Sequence, residues 1–292
     1  MTSSPTPGAT PASTSSERGT RIRSSEAMAL PTPLRIVVVG QSVGFFVRPP
    51  SRSEGPANYA ELLEHRLRVR GIEAQVTNSS RWFLLAHEAW MALEPLVLNH
   101  SPHVVITNFG MGECQPKMIP TYVLRWMFTW RQPGSVGSNL LRRVFLRIVN
   151  AFYTSISPRL IAHMPWLPHR VRPRRFAFVM RRLVETVHKE RQALVVMLGA
   201  NPAGPKLERL LPGTDARSVR YTAILEEIAE RSPGDATVID CRSLVLEHGI
   251  DEVMPDGIHF NERGHDLVAA RLEWEVLDWL ERTGRIRQHQ HE

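Results

Sequence analysis

Cysteine is scarce in this sequence, since only Cys114 and Cys241 occur among its 292 residues. Two cysteines cannot hold a chain of this length together, so the fold must rest on a hydrophobic core and not on a disulfide framework. Both cysteines lie just past the ends of predicted strands and can therefore be close in space, but we expect them to be free thiols.

Long apolar runs are also absent, because no stretch approaches the roughly 18 uninterrupted apolar residues of a transmembrane helix. We therefore expect no transmembrane segment. The contents of 42% hydrophobic and 22% charged residues are ordinary for a globular protein, and the length suits one large domain. The histidines are scattered without the spacing of metal ligands, so we predict neither a metal nor another cofactor.

The first 31 residues contain almost no large apolar side chains and are rich in Ser, Thr, Pro, Gly and Ala. Such a segment cannot bury enough surface to offset its chain entropy, so residues 1–31 are predicted to be a disordered tail. The segment also lacks the apolar core of a secretory signal, which favours a cytoplasmic protein. We place the folded domain at residues 32–284 and a C-terminal tail at 285–292.

Acidic residues are missing from residues 115–184, where Lys and Arg recur among aromatic residues such as Trp126 and Trp130. We interpret this segment as a helical insert that forms a lid, with a basic helix at 139–156. Its charge either only aids solubility or binds an anionic partner with an apolar part, such as an acyl carrier protein, a coenzyme A ester or a lipid surface. Nucleic acid is not expected, because no recognised motif accompanies the charge.

Five short apolar runs alternate with helical patterns along the rest of the chain. The runs are predicted to be strands at 36–39, 72–77, 104–107, 193–198 and 237–239. Helices are predicted near 57–70, 82–98 and 264–280. Apolar strands without polar alternation suit a parallel sheet that is buried on both faces. The alternation of strands and helices predicts a three-layer α/β/α fold around a parallel five-stranded sheet.

A serine follows the first predicted strand in the turn Gly40-Gln41-Ser42-Val43-Gly44. Open α/β sheets bind ligands at the carboxyl ends of their strands. The two glycines let the backbone bend sharply and give a substrate close access to Ser42. Ser42 is therefore the candidate nucleophile, and an ordinary turn serine is the alternative interpretation.

A base for Ser42 is available near the C-terminus, in the sequence Pro255-Asp256-Gly257-Ile258-His259. A serine hydroxyl is a weak nucleophile until a base removes its proton, and the base works best when a carboxylate fixes its tautomer. Asp256 and His259 are three residues apart and can form that pair within one turn. We interpret the nearby His265 as structural.

The order of these motifs resembles the SGNH (GDSL) hydrolase superfamily. The serine follows the first strand, and Asp256-x-x-His259 with the subsequent Gly264-His265 lies near the C-terminus. A Gly-x-Ser-x-Gly turn also fits the α/β-hydrolase elbow, but in that fold the elbow lies mid-sheet and the Asp and His occupy separate loops. The resemblance covers residues 34 to about 280. It implies a flavodoxin-like SGNH hydrolase fold with Ser42, His259 and Asp256 as the catalytic triad.

The chain departs from the family pattern at the blocks around the oxyanion hole. Gln41 replaces the usual Asp before the serine. In Gly110-Met111-Gly112-Glu113, Gly112 stands where the family has its oxyanion Asn, and Glu113 stands for its Asp. The second block should offer a glycine N–H, but Asn78-Ser79-Ser80-Arg81-Trp82 contains no glycine. The oxyanion hole is therefore either rebuilt or weakened.

Several groups are candidates for the replacement donors. The backbone candidates are the N–H groups of Ser42, Gly110, Gly112 and the segment 78–80, particularly Ser79 or Ser80. The side-chain candidates are Asn78, Asn108 and Asn201, although asparagine at such positions is more often a turn former. Glu113 is predicted either to orient a loop or to contact the substrate.

The function predicted from these residues is a serine esterase or lipase-type hydrolase that cleaves a carboxylic ester through a Ser42 acyl-enzyme. Acyl transfer from an anionic donor, such as a carrier protein or coenzyme A ester, uses the same intermediate and is an alternative. The departures at Gln41 and Gly112 motivate another alternative, a catalytically silent SGNH-like protein that binds an acyl or anionic ligand or a partner protein.

Overall fold

The computed structural model describes residues 33–47, 55, 57–123, 136–163 and 169–285. Five strands form one parallel sheet in the order β2-β1-β3-β4-β5. This doubly wound order places ligands at the carboxyl ends of the strands, next to β1 and β3 where the winding reverses. The strands are β1 (Leu34–Gly40), β2 (Ala74–Asn78), β3 (Val104–Asn108), β4 (Leu194–Leu198) and β5 (Ala236–Ile239).

Helices connect the strands and cover the sheet. Short 3₁₀ turns lie at Ser42–Gly44 and Leu98–His100, and a π-helical turn lies at Phe152–Ile156. The α-helices are α1 (Tyr59–Val69), α2 (Ala86–Met91), α3 (Leu93–Leu96), α4 (Met111–Cys114), α5 (Val136–Ala151), α6 (Ser157–His163), α7 (Pro173–Arg191), α8 (Pro205–Leu210), α9 (Thr214–Glu230), α10 (Cys241–His248), α11 (Ile250–Val253) and α12 (Glu262–Arg282).

Alternate side chains of the strands enter two separate hydrophobic cores, because successive residues of a strand point to opposite faces. Val37 and Val39 of β1 join the core that contains α2, α7 and α9. Ile36 and Val38 join the core on the other face, with α1, α10 and α12. The fold is therefore α/β/α with a parallel five-stranded sheet, as the sequence predicted.

The predicted insert extended too far toward the C-terminus. α7 begins at Pro173, a residue that is favoured in the first turn of a helix. One face of α7 is buried in the core, so residues 173–184 belong to the helical layer and not to a lid. The sequence prediction failed there because arginines on the outer face of α7 continue the acid-free composition of the preceding segment. The buried residues are Phe176, Val179, Met180, Leu183, Val184 and Val187.

Other boundaries differ by smaller amounts. The helix predicted at 82–98 is divided into α2 and α3, and Pro95 lies within α3. The basic helix predicted at 139–156 corresponds to α5 and the π-helical turn, and α6 continues it. The tail predicted at 1–31, and that at 285–292 apart from Arg285, lie outside the described residues.

The two cysteines lie in different cores, Cys114 on one side of the sheet and Cys241 on the other. Both are buried and free, which confirms the predicted free thiols, but they are not neighbours. Burial raises the pKa of each thiol to about 12, so neither has the thiolate character of a reactive cysteine. No helix in the described part of the chain is both long and apolar enough to span a bilayer.

Candidate active site

The turn that carries Ser42 is packed so tightly that both flanking glycines are required. β1 ends at Gly40, and Ser42 begins the 3₁₀ turn that follows. A β-carbon on Gly40 would lie 2.7 Å from the β-carbon of Asn108, and one on Gly44 would lie 2.6 Å from Oγ of Ser80. Because such distances are far below van der Waals contact, only glycine fits at either position.

Ser42, His259 and Asp256 are joined by two hydrogen bonds. Oγ of Ser42 lies 2.9 Å from Nε2 of His259, and Nδ1 of His259 lies 2.8 Å from Oδ2 of Asp256. The side chains of His259 and Asp256 are only 16% and 18% exposed. The structure thus brings together the three residues that the sequence placed in a triad.

The Asp256 carboxylate holds the ring of His259 in one tautomer. Burial by itself would raise the pKa of Asp256. Hydrogen bonds from the ring and backbone N–H of His259 and from the backbone N–H of Ile258 outweigh this effect and lower the pKa to about 2. Asp256 is therefore ionised at neutral pH. A neutral His259 ring then carries its proton on Nδ1 and presents an unprotonated Nε2 to Ser42.

The loop that carries Asp256 and His259 is fixed against the loop after β4. The N–H of Gly204 donates to the carbonyl of Gly257 at 3.1 Å, and Nδ2 of Asn201 donates to the carbonyl of Ile258 at 3.3 Å. A β-carbon on Gly204 would lie 2.4 Å from Cα of Gly257, so the two backbones are in direct contact. Gly257 itself has a φ of +80°, a conformation that favours glycine.

Glu113 is a completely buried carboxylate that joins three loops near Ser42. Oε2 accepts the side-chain N–H of Gln41 at 2.8 Å and the backbone N–H of Gly110 at 2.8 Å. Oε1 accepts the N–H of Ala86 at the start of α2, at 2.9 Å. Burial raises the pKa of Glu113 above its usual value, and the hydrogen bonds from these donors offset only part of that rise. Glu113 therefore holds these three loops together from a completely buried position.

Three of the predicted oxyanion donors are engaged elsewhere. The N–H of Gly110 donates to Glu113, and the N–H of Ser79 donates to the carbonyl of Val38 at 2.8 Å. The N–H of Ser80 likewise donates to Oδ1 of Asn78 at 3.1 Å. The expectation that these backbone groups face an oxyanion is therefore corrected. Ser79 continues the pairing of β2 with β1, and the N–H groups of Ser80 and Gly110 bond to side chains within their own turns.

The candidate asparagine side chains also hold neighbouring segments together. Nδ2 of Asn78 donates to the carbonyl of Gly44 at 2.9 Å, and so connects the end of β2 to the Ser42 turn. Nδ2 of Asn108 donates to the hydroxyl of Tyr59 at 3.4 Å. With Asn201 bonded to the Ile258 carbonyl, all three amides take part in positioning loops.

Gly112 lies against the side chain of Gln41. A β-carbon on Gly112 would lie 2.2 Å from Oε1 of Gln41, so the family's asparagine cannot be accommodated there beside Gln41. Ser42 and Gly112 occupy the first turn of their helices, where backbone N–H groups have no intrahelical acceptor. Of the backbone N–H groups that the sequence suggested for an oxyanion hole, these two therefore remain as candidates.

An aromatic cluster beside His259 was not predicted from the sequence. The ring of Phe46 lies 5.1 Å from that of His259, and the ring of Trp82 lies 6.3 Å from it, measured between centroids. Phe45 packs edge-on against Trp82 at 5.2 Å. The sequence did contain a sign of this cluster. Phe45-Phe46 follows the Ser42 turn and Trp82-Phe83 follows β2, and the ends of β1 and β2 are neighbours in the parallel sheet.

His265 has the structural role that the sequence indicated. Its Nδ1 accepts the N–H of Tyr59 at 3.2 Å, and its Nε2 lies 3.3 Å from the carbonyl of Phe46. Burial lowers the pKa of His265 to about 4, so the ring is neutral at physiological pH. Among the described residues, no group of three or more His, Cys, Asp or Glu side chains is arranged to hold a metal ion.

Several solved structures have the same fold as this chain. A lipase/acylhydrolase from Enterococcus faecalis aligns with a TM-score of 0.57 and 16% identity over 88% of this chain and 98% of that chain. The α/β hydrolase LAE5 from the metagenome of Lake Arreo, Spain, aligns with a TM-score of 0.53 and 16% identity over 90% and 99% of the two chains. The acetylxylan esterase Axe2 from Geobacillus stearothermophilus aligns with a TM-score of 0.55 and 12% identity over 86% and 96%.

Sequence comparison assigns the family. No curated protein sequence matches the chain significantly. Residues 38–267, which run from within β1 into α12 and include Ser42, Asp256 and His259, match the GDSL-like lipase/acylhydrolase family. Because this match covers most of the chain, the chain belongs to the GDSL-like lipase/acylhydrolase family.

Proposed function

We propose that this protein hydrolyses a carboxylic ester through an acyl-enzyme on Ser42. The observation that carries the proposal is the continuous hydrogen-bonded series from Ser42 Oγ through His259 to Asp256, with distances of 2.9 and 2.8 Å. Membership of an acylhydrolase family and similarity in fold to esterases support the same reaction class.

In the first half of the reaction, Ser42 Oγ attacks the carbonyl carbon of the ester while Nε2 of His259 takes its proton. The ionised Asp256 stabilises the imidazolium that forms. When the tetrahedral intermediate collapses, the bond to the leaving alkoxide breaks and His259 returns the proton to that oxygen. The products of this half are a free alcohol and an ester between the acyl group and Ser42.

In the second half, water attacks the acyl-enzyme and His259 takes one of its protons. The bond between the acyl carbon and Ser42 Oγ then breaks, and the proton passes from His259 to that oxygen. A carboxylic acid leaves, and Ser42 and His259 return to their starting states. The net reaction consumes one ester and one water and needs no cofactor.

The backbone N–H of Ser42, with that of Gly112, is our proposal for stabilising the oxyanion. Both are first-turn groups without intrahelical acceptors, whereas Gly110 and Ser79 donate elsewhere. The missing asparagine amide removes one donor relative to the family pattern. Since one donor typically contributes about 10²–10³ in rate, we expect slow turnover of unactivated esters.

Acyl transfer is a second candidate function, favoured by the aromatic rings beside His259. Phe46 and Trp82 cover part of the imidazole that would activate the incoming water. Adding an alcohol acceptor to an ester assay distinguishes the two reactions. A transferase forms the new ester in preference to the free acid, whereas a hydrolase forms mainly the acid.

Intact-mass spectrometry after treatment with a fluorophosphonate tests the proposed nucleophile. Wild type should gain one adduct, which should be absent from Ser42→Ala and strongly reduced in His259→Ala. Ser79→Ala is the matched control, because this neighbouring serine has no role in the mechanism and should keep the adduct. If folded wild type gains no adduct and cleaves no p-nitrophenyl acetate, the acyl-enzyme mechanism is wrong and the silent binding protein becomes the better description.

A further inference from the structure

A continuous helical segment carries an apolar stripe that the rest of the described chain leaves uncovered. α5, the π-helical turn and α6 follow one another directly over residues 136–163. Large apolar side chains on this segment are spaced by four or eight residues and are substantially exposed. They are Leu140 (62% exposed), Val144 (45%), Ile148 (59%), Ile156 (54%) and Leu160 (36%).

The π-helical turn helps to keep this stripe on one side. In an α-helix each step of four residues advances by about 40° around the axis, so a stripe of this spacing drifts across the surface. A π turn has i to i+5 hydrogen bonds and therefore takes more residues per turn, which rotates the later positions back. Ile156 and Leu160 thus remain close to the line set by Leu140, Val144 and Ile148.

Positive charge borders the apolar stripe, and no negative charge accompanies it. Arg143 and Arg147 immediately precede Val144 and Ile148, and Arg159 precedes Leu160, so each lies about 100° around the helix from its apolar neighbour. All three arginines are exposed. Residues 115–184 contain no Asp or Glu. The complementary surface must therefore be anionic as well as apolar.

The segment is anchored to the edge of the sheet where Ser42 lies. At its C-terminal end Ile161 is buried in the core, and Oγ of Ser157 donates to the carbonyl of Leu210 in α8. The two ends of the insert lie side by side, just after β3. There the N–H of Arg170 donates to the carbonyl of Gln115 at 2.9 Å. The stripe is therefore carried by an insert that emerges from the carboxyl edge of the sheet.

We propose that residues 136–163 form a surface-binding helix that lies in the interface of an anionic lipid bilayer. The apolar stripe would enter the boundary of the acyl chains, and Arg143, Arg147 and Arg159 would reach the lipid phosphates. A single helix with a convex apolar face suits a fluid bilayer better than a protein partner, which needs a matching groove. Pairing with a second copy would bring these arginines against one another.

Vesicle flotation of the full-length protein tests this proposal. Wild type should float with vesicles of phosphatidylcholine and phosphatidylglycerol, and not with vesicles of phosphatidylcholine alone. Added salt should weaken the binding. Arg147→Gln should bind about fivefold more weakly, the effect expected of one basic residue near an anionic surface. The exposed Arg220 lies on α9 outside the insert, so Arg220→Gln should bind like wild type.

Changes in the stripe give the decisive comparison. Val144→Glu/Ile148→Glu should reduce vesicle binding at least tenfold, because two apolar contacts are lost and two negative charges are added. Val219→Glu is the matched control, since Val219 is an equally exposed valine (47%) on α9 and should keep wild-type binding. Circular dichroism of each variant establishes that it is folded.

Three results would overturn the proposal. The first is unchanged vesicle binding by the folded Val144→Glu/Ile148→Glu variant. The second is no vesicle binding by wild type together with a dimer, seen by light scattering, that this variant abolishes; the stripe would then bind a second copy. The third is no vesicle binding but binding of an acidic acyl carrier protein. Ser42→Ala should float like wild type, so the outcome is independent of the proposed esterase activity.

Discussion

Gln41 and Glu113 form a buried hydrogen bond of 2.8 Å that explains why an amide precedes Ser42. Glu113 is completely buried and already accepts the backbone N–H groups of Gly110 and Ala86. A carboxylate at position 41 would be repelled by it, whereas the amide of Gln41 donates. The departure at Gln41 is therefore matched to Glu113, and the pair positions the turn that carries Ser42.

Gln41→Glu should destabilise the protein at neutral pH. It places a second carboxylate next to Glu113 in a buried site, so unfolding in urea at pH 7 should show a loss of roughly 1–3 kcal/mol. The loss should shrink below about pH 5, because the two carboxyl groups can then share a proton. Gln192→Glu makes the same change at an exposed site and should stay within about 0.5 kcal/mol of wild type. Equal stability of the two variants would contradict the role assigned to Glu113.

Asp256→Asn should reduce kcat by about 10³–10⁴ on a p-nitrophenyl ester. The amide cannot hold the proton of His259 on Nδ1 as the carboxylate does, and it does not stabilise the imidazolium. The fluorophosphonate adduct should form correspondingly slowly. Asp240→Asn alters a carboxylate that caps α10 and should leave kcat unchanged. If Asp256→Asn keeps a kcat within about threefold of wild type, the barrier has changed only on the order of RT. Asp256 would then have no role in the mechanism.

Gly204→Ala should impair catalysis although Gly204 is not in the triad. Its backbone φ of −64° suits alanine, but the new β-carbon would press on Gly257 and displace the loop of Asp256 and His259. A displacement of about 1 Å can cost on the order of 10² in kcat. Gly234→Ala provides the contrast, because position 234 has open space and a φ of +86°. That variant should lose stability through backbone strain and keep its kcat.

His265 should make folding stability depend on pH. Its folded pKa of about 4 lies below the ordinary value of 6.5, so the unfolded chain takes up the proton first as pH falls. The contribution of neutral His265 to the free energy of unfolding is complete above about pH 6.5. It is lost progressively toward pH 4, by roughly 3 kcal/mol.

Unfolding of His265→Gln across this pH range isolates the effect. A glutamine can accept the N–H of Tyr59 and donate to the carbonyl of Phe46, as His265 does, but it does not titrate. Its stability should therefore fall less between pH 6.5 and 4 than that of wild type. Parallel curves for the two proteins would show that His265 is not held neutral by burial.

The sequence by itself determined the sheet and the pairing of Ser42 with Asp256 and His259. β-branched runs such as 36–39 have few alternatives to a buried strand, and a triad with its Asp and His three residues apart is local apart from one long-range contact. The glycines at 40 and 44 also indicated a tight turn around Ser42, and the structure shows that they are needed for close packing against Asn108 and Ser80.

Only the tertiary structure decided which polar groups form hydrogen bonds within the protein. Whether the N–H of Gly110 faces a substrate or Glu113 depends on where a buried carboxylate ends up, and no local pattern encodes that position. The same holds for α7, whose basic outer face concealed its buried apolar face. A sequence lists donors and apolar residues, whereas burial and partner choice arise from packing between segments that are distant in the chain.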